Sequence, residues 1–360
     1  MLPTLTARSL PRLRRDARLI ILLALAGGLF GAFLLSLAVG SVVIPLDQII
    51  TILLGGEAAR ATWSTIVLDF RLPKALTALL AGAALSVSGL QMQTLFRNPL
   101  ADPFVLGISS GASLGVALVV LSVGTTGAVL LAGLGLAGDF GLTAAAIIGA
   151  ACALLLVLLV AARVQSMMTL LIVGLMFGYA TGALVSLLLY FSIAERIQTY
   201  INWTFGSFGG VTWRQIPIFL PAVLLGLAGA VALSKPLNAL LLGEAYAQSM
   251  GLNVRRARLG IIASTALLAG SVTAFCGPIG FLGIAVPHLC RGLLHTADHR
   301  LLIPATVLLG GTLALLADLI AQVPGHQIVL PLNAVTALLG APVVIWVILR
   351  RASTRASFGG

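Results

Sequence analysis

Four residues near one end of the chain are of types that bind metal ions: His288, Cys290, His295 and His299. Zinc sites draw on such nitrogen and sulfur donors, usually in closely spaced pairs. "PHLCR" and "ADHR" show no paired cysteine spacing, although His295 and His299 could share one face of a helix. Histidines beside helix ends commonly cap them, and no metal site is expected here. Cys152, Cys276 and Cys290 lie in apolar stretches and are read as packing residues. Nucleotide hydrolysis is excluded on similar grounds. No GxxxxGK[ST] phosphate loop exists, and the only lysines are Lys74 and Lys235. No catalytic residue is assigned.

The elements around these residues belong to a bilayer. Of 360 residues 59% are hydrophobic and 9% charged, and mean hydropathy is +1.12. A soluble domain carries about 25% charged residues, so this chain could not clothe itself for water. A crossing helix needs roughly 20 apolar residues. Candidate spans fall at 19–43, 73–96, 103–122, 140–162, 167–191, 214–234, 259–276, 279–296, 302–322 and 332–350. The expected fold is all-α: one transmembrane domain over 1–360 with about ten helices.

Residues 1–18 carry five arginines ahead of an uncharged stretch too long for a signal peptide, so they are read as a cytoplasmic segment before a retained first span. The uncharged run from Leu259 to Cys290 could be one long span or two, with "CGPIG" at 276–280 as the only turn signal. Basic residues favour the cytoplasmic side, and this decides for two. With ten spans and both termini inside, only Arg60, Arg71, Lys74, Arg196 and Arg214 of the 21 Lys and Arg residues face out. The net charge of +11 therefore reflects orientation, not nucleic acid. Asp318 is the clearest carboxylate within a span, too little for the charged relay of an ion-coupled carrier. If the chain transports, a partner supplies the energy.

Three loops exceed simple turns. Residues 44–72 and 192–213 fall outside, and the aromatics of "YINWTFGSFGGVTW" suit an interfacial helix. Residues 235–258 fall inside and mix apolar and polar residues at helical spacing. "RNPLADP" cannot sit in hydrocarbon, where unpaired backbone groups cost several kcal/mol each (roughly). Pro99 and Pro103 fix its backbone, and Asn98 and Asp102 are placed to hydrogen-bond it locally. Small-residue stripes at four-residue spacing, Gly107–Gly111–Gly115, Gly174–Gly178–Gly182–Ser186 and Ala78–Gly82–Ser86, imply a closely packed bundle.

Three long segments carry a family resemblance: "RLPKALTALLAGAALSVSGLQMQTLFRNPLADPFVLGISSGASLG" (71–115), "LNALLLGEAYAQSMGLNV" (237–254) and "GPIGFLGIAVPHLCRGLLHTADHRLLIP" (277–304). They closely resemble the FecCD-type permeases, membrane subunits of bacterial type II ABC importers for iron-siderophores, haem and cobalamin, and the resemblance covers nearly the whole chain. It implies an inner-membrane subunit paired with a second copy or a paralogue, with the pathway at their interface. Two ATPase subunits would dock inside, holding the ATP and Mg, and a substrate-binding protein outside; this chain would bind no cofactor.

The resemblance implies a cytoplasmic gate at Asn98, Pro99, Leu100 and Ala101, with the striped third span packed behind it. It implies ATPase coupling through Leu240, Gly243, Glu244, Ala245, Met250, Gly251 and Leu252, with Gly251 one position later than the family's shorter motif. Arg71 and Lys74 match basic positions that dock the binding protein. A further basic position is Gln322 here, and Val329–Asn333 departs from the family's Glu-Leu-Pro-Val-Gly, so Arg60, Arg196 or Arg214 could substitute. Span five resembles the helix lining the pathway, with Met167, Met168, Gly174, Met176, Gly178, Tyr179 and Gly182. The expected cargo is an iron-siderophore, with haem or cobalamin as the alternative within the family and an ion-coupled secondary carrier as the alternative outside it.

Overall fold

The computed structural model describes residues 15–121, 141–164, 166–323 and 329–356. Among the described residues there are helices and no strands. The chain begins with α1 (Arg15–Ala38) and the short α2 (Leu46–Leu53). Then α3 (Ala61–Thr65) runs through a π turn over Ile66–Arg71 into α4 (Leu72–Leu95). A 3-10 turn at Pro103–Leu106 precedes α5 (Ile108–Val120), followed by α6 (Gly141–Arg163), α7 (Met167–Tyr190) and α8 (Ala194–Thr204). Next come α9 (Ile216–Ala232), α10 (Ser234–Leu242), α11 (Glu244–Ser249) and α12 (Val254–Cys276). The last three are α13 (Leu282–Leu294), α14 (His299–Ala321) and α15 (Leu332–Ala356).

Four of the described starts carry a side-chain cap. Asp102, Ser166, Asn253 and Asp298 accept the backbone N–H of Phe104, Thr169, Arg256 and Arg300. Each such cap is worth about 1 kcal/mol. Every expected span contains a helix, and the "CGPIG" turn lies between α12 and α13. Among the described residues six helical stretches are long and apolar enough to cross a bilayer: α1, α3 through α4, α6, α7, α12 and α14. A seventh arises if α9 continues into α10 across a 48° bend. The helices α5, α13 and the Leu332–Ile345 part of α15 are shorter. Their shortness has a local cause at two sites. Gly107 (φ +77) separates the 3-10 turn from α5, and Phe281 (φ +69) immediately precedes α13.

The core is α4, buried almost continuously from Ala78 to Leu95. Small residues let neighbours reach its backbone, since lipid gives helices no hydrophobic reason to associate. A β-carbon at Gly82 would collide with the Gly310 backbone of α14, and one at Gly89 with Gly283 of α13. Gly111 and Gly115 of α5 face Gly149 and Ala145 of α6 in the same way. This alters the expected role of the stripe on the third span. Gly107 is a turn residue against Phe177 and Gly174, and the remaining two glycines pack on α6, not behind the 97–103 loop. Polar groups reinforce the core. The fully buried Gln91 donates to Ser264 Oγ (3.1 Å) and accepts from Thr265 Oγ1 (3.0 Å), while Ser264 also donates to the Gly226 carbonyl (2.9 Å). Together these join α4, α12 and α9.

Candidate functional site

The loop after α4 and the helical pair α10–α11 meet at one end of the bundle, and each is held by specific bonds. In the loop, Asn98 Oδ1 accepts the Leu100 N–H at 3.0 Å, and Asp102 Oδ1 accepts the Phe104 N–H at 2.8 Å. Burial pushes the Asp102 carboxyl up to about 6, against the opposing effect of that hydrogen bond. His288 Nε2 donates to the Pro99 carbonyl at 2.7 Å, which places the ring hydrogen on Nε2 and ties the loop to α13. Leu100 is exposed and Ala101 buried.

The helical pair forms a hook. Gly243 (φ +121) and Gly251 (φ +85) supply the turns on either side of α11, conformations costly to a residue with a β-carbon. Leu240 is buried beneath the hook and Leu252 packs against the core. Glu244 pairs with Arg258 at 3.0 Å, joining the hook to the first turns of α12. Outward, Leu242, Tyr246 and Met250 expose 54–65% of their surface, with Ala245 beside them. Apolar side chains clustered on a polar end of the molecule are the usual mark of a binding surface.

The hook is fastened to the bundle by a polar chain that local sequence patterns do not reveal. Asn238 Nδ2 donates to Asp298 Oδ1 at 2.6 Å, and Asn238 Oδ1 accepts the His299 backbone N–H at 2.9 Å. The same oxygen lies 2.8 Å from His299 Nδ1, and His299 Nε2 lies 2.8 Å from Thr94 Oγ1. With Asn238 Oδ1 as acceptor, a neutral ring carries its hydrogen on Nδ1, and the single Thr94 hydroxyl hydrogen is shared between Nε2 and the Leu90 carbonyl 2.9 Å away. Thus the hook is bonded to the start of α14 and, through His299, to the end of α4.

The histidines and cysteines do not converge. His288 and His299 serve these hydrogen bonds, and His295 (φ +47) is the C-cap of α13, so His295 and His299 lie on different helices and share no face. Cys276 and Cys290 are buried and Cys152 is exposed. Among the described residues no group of three or more His, Cys, Asp or Glu side chains comes together.

At the opposite end, Arg71 Nη1 donates to the carbonyls of Leu37 (2.7 Å) and Ala38 (3.0 Å), closing the last turn of α1. Lys74 Nζ lies 3.0 Å from Asp318 Oδ1, and Gln322 Nε2 donates to Asp318 Oδ2 at 2.7 Å. Both predicted docking cations therefore have partners inside the chain. Arg60 lies over the Trp63 ring, and Arg60 and Arg214 are exposed at this end. On α7, Gly174 abuts the Val105 carbonyl, Gly178 approaches Ser110, and Gly182 faces open space. Met168, Met176 and Tyr179 are 66%, 51% and 66% exposed, so this chain leaves that face of α7 uncovered.

The apolar helices, the glycine contacts and the polar ends define a polytopic helical membrane protein. The FecCD transport family model matches residues 22–350, and the chain belongs to that family. It is 40% identical over 293 residues to the vitamin B12 import system permease protein BtuC of Escherichia coli O17:K52:H18, covering 80% of this chain and 86% of that protein. The BtuC protein of Klebsiella pneumoniae is 39% identical over 295 residues, covering 82% and 86%. A solved structure of a metal-chelate type ABC transporter in an inward-facing conformation superposes with a TM-score of 0.79 at 30% identity. That match covers 92% of this chain and 99% of the other.

Proposed function

We propose that the chain is the membrane-spanning permease subunit of an ATP-driven importer and passes a metal chelate into the cytoplasm by alternating access. The observation that carries this reading is the hook: a rigid helical pair with an exposed apolar face, bonded to the loop at the mouth of the bundle. Such an element receives force from a separate protein and delivers it to a gate. The chain itself performs no hydrolysis, and ATP and Mg belong to the two partner ATPase subunits. Asp318 supports the same view, because its two carboxylate oxygens are taken up by Lys74 and Gln322 and leave no open relay for a coupling ion.

The hook end carries Arg97, Arg163, Lys235, Arg255, Arg256, Arg258, Arg291 and Arg300, and the positive-inside bias makes it cytoplasmic, with both termini on that side of a bacterial inner membrane. The open face of α7 suits a second copy or a paralogue, which would bring Met168, Met176 and Tyr179 to a shared pathway of adaptable apolar walls. At the other end a binding protein would meet Arg60 and Arg214 together with the partly exposed Lys74 and Arg71. The cargo is a metal chelate. Iron-siderophore and corrinoid stand equally on the family, and the names of the relatives make cyanocobalamin the first probe.

Uptake into proteoliposomes, with and without the ATPase and ATP, tests the reading. Transport should require both, and transport on an ion gradient alone would overturn it. Deleting Leu240–Gly251 should abolish ATPase co-purification while the helical membrane domain persists; retained binding would refute the assignment of the hook.

A further inference from the structure

The residue linking gate and hook is in neither expected set of site residues. Arg97 follows the last turn of α4 with φ +49, a left-handed conformation. Positions of this kind after a helix are normally glycine, because a β-carbon is unfavourable there. An arginine in that place costs backbone stability that glycine would not, and its side chain makes a contact that glycine cannot.

Arg97 Nη2 donates to the Leu240 carbonyl at 3.0 Å, across 143 residues of sequence. That carbonyl lies in the last turn of α10, where the helix dipole favours a cation. Gly243, three residues on, makes the contact accessible. A β-carbon built there would lie 3.1 Å from Arg97 Nη2 and crowd the guanidinium. On its other side Arg97 leads directly into Asn98 and then Pro99, whose carbonyl is held by His288.

We propose that Arg97 is a positioning residue, a strut that makes the gate loop follow the hook, an inference that rests on the importer reading above. The Asn238–His299–Thr94 chain anchors the base of the hook to α14 and α4. Arg97 adds a bond from the loop itself to the last turn of α10, two residues beyond Asn238. The strained backbone persists because the guanidinium must reach that carbonyl.

The test uses the permease assembled with its ATPase and compares wild type with Arg97→Gly and Arg97→Asn. Both replacements suit the left-handed backbone and neither reaches Leu240. Hydrogen–deuterium exchange is followed in peptides covering 97–107 and 235–253, without nucleotide and with MgATP plus vanadate. In wild type both peptides should respond to trapping. In the variants the hook should still respond, while the response of the gate loop falls about tenfold, the scale of one lost charge-assisted hydrogen bond. The melting temperature should hold or rise, most clearly for Arg97→Gly.

Equal gate responses in all three proteins would overturn the strut. So would a lower melting temperature in both variants, which would make Arg97 a prop of the fold. A hook that ignores nucleotide even in wild type would instead overturn the importer reading, so the two failures are distinguishable.

Discussion

Replacing Lys74 with methionine should destabilise the isolated chain although no partner is present. Lys74 Nζ and Asp318 Oδ1 are 3.0 Å apart, with side chains 22% and 5% exposed. Removing the cation leaves a buried carboxylate with one amide donor, Gln322. Breaking a buried pair from one side costs about 3–5 kcal/mol, and the partial exposure of Lys74 places this case near the lower bound. Replacing both partners by apolar residues of similar volume is close to neutral. Four proteins complete the cycle: wild type, Lys74→Met, Asp318→Leu and the double variant, each melted in the same lipid nanodiscs by intrinsic tryptophan fluorescence. Each single variant should melt about 5–10 °C below wild type, and the double variant should recover most of that loss. A Lys74→Met protein as stable as wild type would refute the reasoning and mark Lys74 as a charge reserved for a partner. A double variant below both singles would show that the site depends on polarity itself.

Three further outcomes follow from other contacts. Gly89→Val should destabilise by at least about 1–3 kcal/mol, because its side chain would enter the Gly283 backbone; an unchanged melting temperature would refute the close approach of α4 and α13. Asp102→Asn keeps the cap on Phe104 but removes a carboxylate whose pKa rises from 3.8 to about 6 on folding. A raised folded pKa means stability falls as pH climbs from about 4 to 6, so the variant should gain up to roughly 3 kcal/mol at pH 7 and nothing below pH 4. A gain independent of pH would refute this account. Arg71→Glu should both loosen the end of α1, seen as faster amide exchange over residues 35–43, and weaken binding-protein affinity, more so at low salt. An unaltered exchange pattern would show that the Arg71 contacts are dispensable.

Local signals in the sequence were sufficient for much of this architecture. The ten apolar runs each hold a helix, the amphipathic 235–258 stretch is a helix-turn-helix with its two glycines at the turns, and 194–204 forms the short helix expected of its aromatic loop. Those features depend on residues close together in the chain. Asn98 and Asp102 bond their own neighbours for the same reason. What hydropathy could not show is pairing at a distance. Lys74 with Asp318, Arg97 with Leu240 and His299 with Thr94 join segments far apart, and nothing in either local stretch names its partner. The shortness of α5 and α13 was equally illegible, because composition measures how apolar a run is and not where its backbone turns left-handed.

The backbone contacts through Gly82, Gly89, Gly111 and Gly115 carry a mechanical consequence. Surfaces that touch main chain to main chain cannot slide past one another, since a shift of one residue would drive a side chain into peptide groups. The helices α4, α13 and α14 therefore travel as one block, and α5 with α6 as another. Large excursions are left to joints lined by longer, adaptable side chains. Under the proposed function the uncovered methionine and tyrosine face of α7 would be such a joint, and screens for variants frozen in one state should begin there.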